Sequence, residues 1–156
     1  MDEPYRWCAT RGGLVRWDIR DGSWKRFTRA DGLEEDVIGG IARDGNGRYW
    51  IAMSNGSMCI EGEAPTYYNS NEEDWRKNIR PPMVEDPNGN TWAYYQPEGV
   101  VCFDKESHRV FTPEDGLAGT TVTAIAIDQN KTVWLGSRDG LSRFDGTRWT
   151  VYHDSD

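Results

Sequence analysis

The sequence predicts an all-β chain folded as a β-propeller of about four four-stranded antiparallel blades, and three observations carry that prediction. Trp7, Trp50, Trp92 and Trp134 fall on one period, at intervals of 43, 42 and 42 residues. The same frame recurs around them: Asp44-Gly-Asn-Gly-Arg-Tyr-Trp50-Ile-Ala matches Asp86-Pro-Asn-Gly-Asn-Thr-Trp92-Ala-Tyr and Asp128-Gln-Asn-Lys-Thr-Val-Trp134-Leu-Gly. No segment sustains a helical period, and Gly and Pro interrupt the chain at short intervals. Four short strands in a unit of this length make one propeller blade.

The elements of the unit follow in order. Strand a is a run of small and β-branched residues, clearest in Thr121-Val-Thr-Ala-Ile-Ala-Ile127 and weaker in Val37-Ile-Gly-Gly-Ile-Ala42, a composition suited to packing on both faces. The Asp-x-Asn-Gly stretch that follows is turn chemistry, because Asn and Gly tolerate positive φ and Asp bonds its own backbone. Strand b carries the periodic tryptophan. A large aromatic at one fixed site fills the wedge between twisted neighbouring sheets, so Trp7, Trp50, Trp92 and Trp134 are read as blade core. A second turn, Ser54-Asn-Gly or Arg138-Asp-Gly, leads into strand c at Gly13, Gly56, Gly99 and Gly140. Strand d ends aromatic, as in Trp24-Lys-Arg-Phe27, Pro65-Thr-Tyr-Tyr68, Val110-Phe111 and Trp149-Thr-Val-Tyr152. The blades span about residues 5–28, 37–68, 81–112 and 121–153 of one domain over 1–156, and the first lacks its innermost strand.

Composition bounds the function. The chain has 156 residues, enough for one compact domain. With 37% apolar residues it is not a disordered composition, despite a mean hydropathy of −0.80. The net charge is −8 and the basic residues are scattered, which argues against nucleic acid as a partner. No apolar run approaches the roughly 18 residues that cross a bilayer, so no membrane insertion is expected. Cys8, Cys59 and Cys102 lack paired spacing, and only His108 and His153 accompany them. Neither a metal nor a cofactor is expected, and the cysteines read as buried, apolar thiols.

Ala126-Ile-Asp128-Gln-Asn-Lys-Thr-Val-Trp134-Leu-Gly136-Ser-Arg-Asp-Gly140-Leu141-Ser-Arg-Phe144-Asp-Gly, with Asp-Gly-Leu at 31–33 and 115–117, resembles the two-component regulator propeller repeat. The resemblance covers nearly the whole chain. It implies a sensor domain of bacterial hybrid two-component systems, often glycan-responsive and periplasmic, or a stand-alone propeller. Two departures stand out. Met53-Ser54-Asn55 and Tyr94-Tyr95-Gln96-Pro97-Glu98 replace the family's small Gly-Thr, and Tyr68 to Pro82 replaces the second Asp-Gly-Leu. Taken as it stands, with an acidic start and an odd cysteine, the chain reads as cytoplasmic; taken as an excerpt of a sensor, it reads as periplasmic.

Counting strands gives 15, three in the first blade and four in each of the others. A propeller hides its blade faces only by closing. The expected partner is a second copy, two half-rings making an eight-bladed ring; an imperfectly closed four-bladed monomer and an excerpt of a longer chain remain alternatives.

The b–c and d–a loops of a propeller gather at one end, which is where function is expected. The b–c loops offer Arg11, Asn55, Tyr95, Gln96, Arg138 and Asp139. The d–a loops offer Glu35 and a long polar insertion with Asn71, Glu72, Asp74, Trp75 and Arg76. Trp75 has no repeat partner, and an aromatic beside Asn, Asp and Arg suits a sugar, a small molecule or a protein ligand. Packing under its own loop is the other reading of Trp75. Glu34-Glu35-Asp36 is the one carboxylate crowd that could serve catalysis. The chain therefore reads as a non-enzymatic binding module. The alternatives are a lyase resembling streptogramin lyase, which needs a channel-facing histidine, and a pure scaffold half-propeller.

Overall fold

A computed structural model describes residues 4–61, 64–69, 73–104 and 106–153, the side chains of Ala64 and Asn69 excepted. Fifteen strands form four antiparallel sheets. Blade 1 holds β1 (Tyr5–Thr10), β2 (Gly13–Asp18) and β3 (Trp24–Phe27). Blade 2 holds β4 (Ile38–Arg43), β5 (Tyr49–Met53), β6 (Gly56–Glu61) and β7 (Ala64–Asn69). Blade 3 holds β8 (Ile79–Glu85), β9 (Thr91–Tyr95), β10 (Gly99–Phe103) and β11 (His108–Phe111). Blade 4 holds β12 (Val122–Ile127), β13 (Val133–Ser137), β14 (Gly140–Phe144) and β15 (Trp149–Tyr152). Within each sheet every strand pairs with its chain neighbour.

Local chemistry sets the boundaries. Strand c opens in every blade on a glycine at positive φ, from 125° at Gly13 to 149° at Gly56. At Gly99 a Cβ would run into the Phe111 carbonyl of the next strand, so only glycine fits. The Asp-Gly-Leu junctions are capped single turns. Asp31 and Asp115 each accept from the backbone N–H of a threonine, Thr28 at 3.1 Å and Thr112 at 3.0 Å. The glycine takes φ of 98° at Gly32 and 112° at Gly116, and Leu33 and Leu117 drop into the cores.

Trp7, Trp50 and Trp92 each meet a ring of the following blade, at Tyr49, Phe103 and Phe144. In blades 2 to 4 an aspartate six residues before the tryptophan holds its indole. Asp44 Oδ2 accepts from Trp50 Nε1 at 3.0 Å, Asp86 Oδ2 from Trp92 at 3.1 Å and Asp128 Oδ2 from Trp134 at 3.0 Å. The other oxygen accepts two backbone N–H groups of the turn, as at Asn46 and Arg48. The carboxylate therefore ties the turn to the strand that follows it. Six residues before Trp7 stands Met1, so the first tryptophan lacks this partner.

Three hydrophobic cores lie between the four sheets. Leu14, Ile51 and Met58 centre the first, Trp50, Val101 and Phe103 the second, and Trp92, Val100 and Leu135 the third. The first strands of the four sheets pack in chain order, β1 on β4, β4 on β8 and β8 on β12. A closed ring of four blades would need a fourth core between blades 4 and 1. Among the described residues there is none, and the blades form an open arc. Its ends are apolar: Trp17 and Trp24 stand 46% and 68% exposed on blade 1, Leu141 and Tyr152 38% and 42% on blade 4.

The cysteines divide. Cys59 is buried and burial pushes its thiol up to about 11; Cys102 is half-buried and pushed up to about 12. Cys8 is exposed, against expectation, because it lies on the face of β1 that no sheet covers.

Candidate binding site

The b–c turns and d–a loops meet at one end of the arc and are cross-linked there. The Glu35 carboxylate accepts from Ser54 Oγ at 2.6 Å and from the Asn55 N–H at 2.9 Å, joining the loop after blade 1 to the b–c turn of blade 2. At the junction of blades 3 and 4 the carboxylate comes from the opposite side. Gly119 replaces Glu35, and the Asp139 carboxylate of the b–c turn occupies the space a Cβ at 119 would take. Between blades 2 and 3, Gln96 N–H donates to Asn78 O at 3.0 Å, and Asn78 Nδ2 donates to Tyr95 Oη at 3.3 Å.

Of the expected site residues, this end brings Glu35 and Asn55 into direct contact and leaves Gln96 exposed beside them in the next blade. Arg138 and Asp139 are exposed at blade 4, where the Asp139 carbonyl lies 2.9 Å from His153 Nδ1. Arg11 is exposed on the turn of blade 1. Tyr95 is not on this surface. Strand alternation turns it into the second core, where it is 7% exposed. Asn71 and Glu72 lie outside the described residues.

Trp75 is a packing residue. It begins the single turn Trp75–Asn78, stacks on His108 at 4.1 Å with 10° between planes, and meets Phe103 edge-on at 5.4 Å. The reason lies in the repeat. His108 pairs with Phe103 as Trp149 pairs with Phe144. At the third core Trp149 alone fills this corner, 5.4 Å from Phe111 and 6.3 Å from Trp92. Imidazole is too small for the corner, and the inserted loop returns a tryptophan to it. Arg76 covers the same junction, its guanidinium 4.0 Å over Tyr68 and paired with Asp74.

Arg80 is not among the residues expected from the sequence. The innermost strands of blades 2 to 4 each carry a bulge near their start, at Ile38/Gly40, Arg80/Met83 and Val122/Ala124. Two of these hold Gly39 and Thr123, and the third holds Pro81 and Pro82; Arg80, just before it, pairs with Tyr94 where Gly40 pairs with Ala52 and Ala124 with Gly136, an arginine among small residues that shows when the repeats are set in register. Arg80 Nη1 donates to the carbonyls of Lys77 and Ile79 at 2.5 and 2.9 Å. Its Nε is shut away from solvent without an acceptor, and burial lowers its pKa, opposed by the charges of Glu35 and Tyr94.

Two carboxylates of the Glu34-Glu35-Asp36 run are hydrogen-bonded within the loops. Glu35 holds the turn of blade 2, and Asp36 accepts from Arg29 N–H at 2.7 Å. His108 lies under Trp75 on blade 3 and His153 on blade 4, so neither stands beside Glu34 or Glu35 at the junction of blades 1 and 2. No three metal-ligating side chains converge among the described residues.

Residues 116–139 match the sequence profile of the family described as two component regulator propeller. The chain carries a two component regulator propeller repeat. That stretch runs from Gly116 of the Asp-Gly-Leu at 115–117 through β12 and β13. Over 45 residues the chain is 42% identical to histidine kinase P4 of Formosa agariphila, a match that covers 29% of this chain and 3% of that protein. The fold is similar to a solved structure described as the extracellular domain of the hybrid two component system BT3049 from B. thetaiotaomicron. The TM-score is 0.79 and the identity 23%, over 97% of this chain and 22% of that one. It is also similar to virginiamycin B lyase from Staphylococcus aureus, with a TM-score of 0.66 and 12% identity over 94% of this chain and 51% of the lyase. At these identities the likeness is one of fold, which by itself assigns no activity. The chain spans less than a quarter of the sensor domain and about half of the lyase. No helix among the described residues is long and apolar enough to cross a membrane.

Proposed function

We propose that this chain is a non-catalytic binding segment of a sensor propeller, taking its ligand at the loop end of the arc around Arg80. One observation carries the reading: a half-buried guanidinium on an innermost strand, with a buried Nε that has no acceptor. An unpaired buried donor costs roughly 1–3 kcal/mol, and a ligand oxygen reaching it would remove that cost. Glu35 and Tyr94 act on it electrostatically, and Asn55 and Gln96 are exposed donors and acceptors on the same end. Such a set suits a ligand with several oxygen atoms, such as a glycan, a small polar acid or a run of peptide carbonyls. The likeness to an extracellular sensor domain supports placement outside the cytoplasm.

The test is a glycan and metabolite array probed with the chain and with Arg80→Met, which keeps the stem and removes the donors. Binding that vanishes in Arg80→Met and weakens in Gln96→Ala supports the site; binding that survives Arg80→Met sinks it. The lyase alternative has the fold likeness alone in its favour. An assembly role has an observation of its own, the apolar ends of the arc, and we propose that two copies complete a ring through them.

A further inference from the structure

The three junctions of the arc share one plan, and at one of them a part of it is missing. At the third junction Phe144 and Trp149 of blade 4 fill the wedge against Trp92 and Phe111. At the second, Phe103, His108 and the inserted Trp75 fill it against Trp50. The corresponding pair on blade 2 is Ile60 and Pro65, which face each other across β6 and β7 as Phe144 and Trp149 do across β14 and β15. Neither side chain is large enough. A cleft of about 350 Å³ lies between blades 1 and 2, walled by the rings of Trp7, Phe27 and Tyr67 above Leu14 and Met58; the third junction has a cleft of the same volume, but there Phe144 itself lines it, together with Asp86, Asn88, Asp104 and Ser107. That is within the size range of small-molecule sites, about 300–1,000 Å³.

The charge in this cleft departs from the other junctions as well. The position that carries Cys59 and Cys102 at the other two junctions carries Arg16 here. The Arg16 guanidinium lies 4.4 Å over Tyr5, 5.7 Å from Phe27 and 5.9 Å from Trp7. It is half-buried, and among the described residues it makes no hydrogen bond or ion pair. Lys25 at the rim is already balanced by Asp31 at 3.6 Å. The cleft thus offers one guanidinium with open donors above a slot in which the sister junctions seat aromatic rings.

We infer that the cleft between blades 1 and 2 is a second binding site, separate from the loop end, for a small aromatic carboxylate. The ring takes the place that Phe144 and Trp149 take at the third junction, and the carboxylate accepts from Arg16. A guanidinium–carboxylate pair is charge-assisted and, in a partly desolvated slot between rings, discriminates an acid from its neutral analogue.

Titration calorimetry with indole-3-acetate and its neutral analogue indole-3-acetamide tests the site. The acid is expected to bind at least about tenfold more tightly than the amide, a gap of one decade in Kd. In Arg16→Gln the acid should fall to the amide's affinity. In the double variant Ile60→Phe, Pro65→Trp, which copies the filler of the third junction, binding of both should be lost while the melting temperature rises. Equal binding of acid and amide by the unaltered chain, no saturable binding of either, or undiminished binding by Arg16→Gln would each overturn the inference. Arg16→Gln alters a partly exposed side chain, so its outcome stands whether or not the filled double variant folds.

Discussion

The carboxylate of Asp86 gathers four donors: the backbone N–H groups of Asn88 and Asn90, the Asn90 side-chain amide and the Trp92 indole, all within 3.1 Å. Its removal in Asp86→Ala leaves a buried indole N–H unpaired and a turn untied, and should cost about 2 kcal/mol by chemical denaturation. The corresponding carboxylate in blade 4 adds a pH dependence. Hydrogen bonds from Trp134, then from Thr132, hold Asp128 below the usual carboxylate range. Its folded-state pKa is the lower one, so its contribution is present above about pH 4, the ordinary aspartate value, and is lost as the pH falls through the folded value. The stability gap between the natural chain and Asp128→Asn should therefore narrow on acidification below pH 4; a gap that widens would contradict the tie. The turn-forming role of these aspartates is legible in Asp-x-Asn-Gly. Their hold on a tryptophan six residues away is not, because it depends on how the hairpin brings the turn back over strand b.

The strands are legible in the sequence because each has its own punctuation: a glycine at the start of strand c, Asp-x-Asn-Gly before strand b, a capped turn before strand a. The inserted loop before β8 lacks any of these, and Trp75 can be read there only by its neighbours in sequence. Its stacking on His108 belongs to a long-range comparison between blades. If Trp75 substitutes for a strand-d tryptophan, Trp75→Ala should cost about 3 kcal/mol, as large-to-small changes of packed aromatics do. Adding His108→Trp to that variant should return a good part of the loss, measured as the urea midpoint. A ligand-gripping Trp75 would show little loss of stability and no such rescue. The turns before strand b carry strain in one blade. Gly47 and Gly89 sit at φ of 82° and 85° in the turns of blades 2 and 3, and the same position in blade 4 is Lys131 at 64°. Lys131→Gly relieves a left-handed conformation worth about 1–2 kcal/mol and loses the 3.2 Å bond from Nζ to Asn88. The net expectation is a small rise in melting temperature, of about 2 °C for a domain of this size.

For the arc as a whole, the repeat count is legible in the sequence, but which surfaces are left bare requires the register. β2 places Trp17 opposite Trp24, as β14 places Phe144 opposite Trp149. These are the residues that, on blade 4, fill the wedge against blade 3. On the far side of blade 4, Trp134 stacks on Tyr152 at 6.3 Å, as Trp92 stacks on Phe111 at 5.6 Å on blade 3. One end of the arc therefore carries the filling pair and the other carries the receiving pair, and neither has its mate among the described residues. A head-to-tail contact of this kind either closes into a ring or runs on as a filament. On the closure proposed above, two arcs make one ring. The chain is therefore expected to sediment at twice its 17.8 kDa. Trp24→Glu sets a charge in the filling pair and Tyr152→Glu one in the receiving pair, and each alone should return the protein to a monomer without lowering its melting temperature by unfolding a core, because both side chains are on bare faces. Mixing the two variants should leave only one intact junction per pair, detectable as weak, concentration-dependent association. A chain that sediments as a monomer at every concentration would mean that the filling and receiving pairs do not meet.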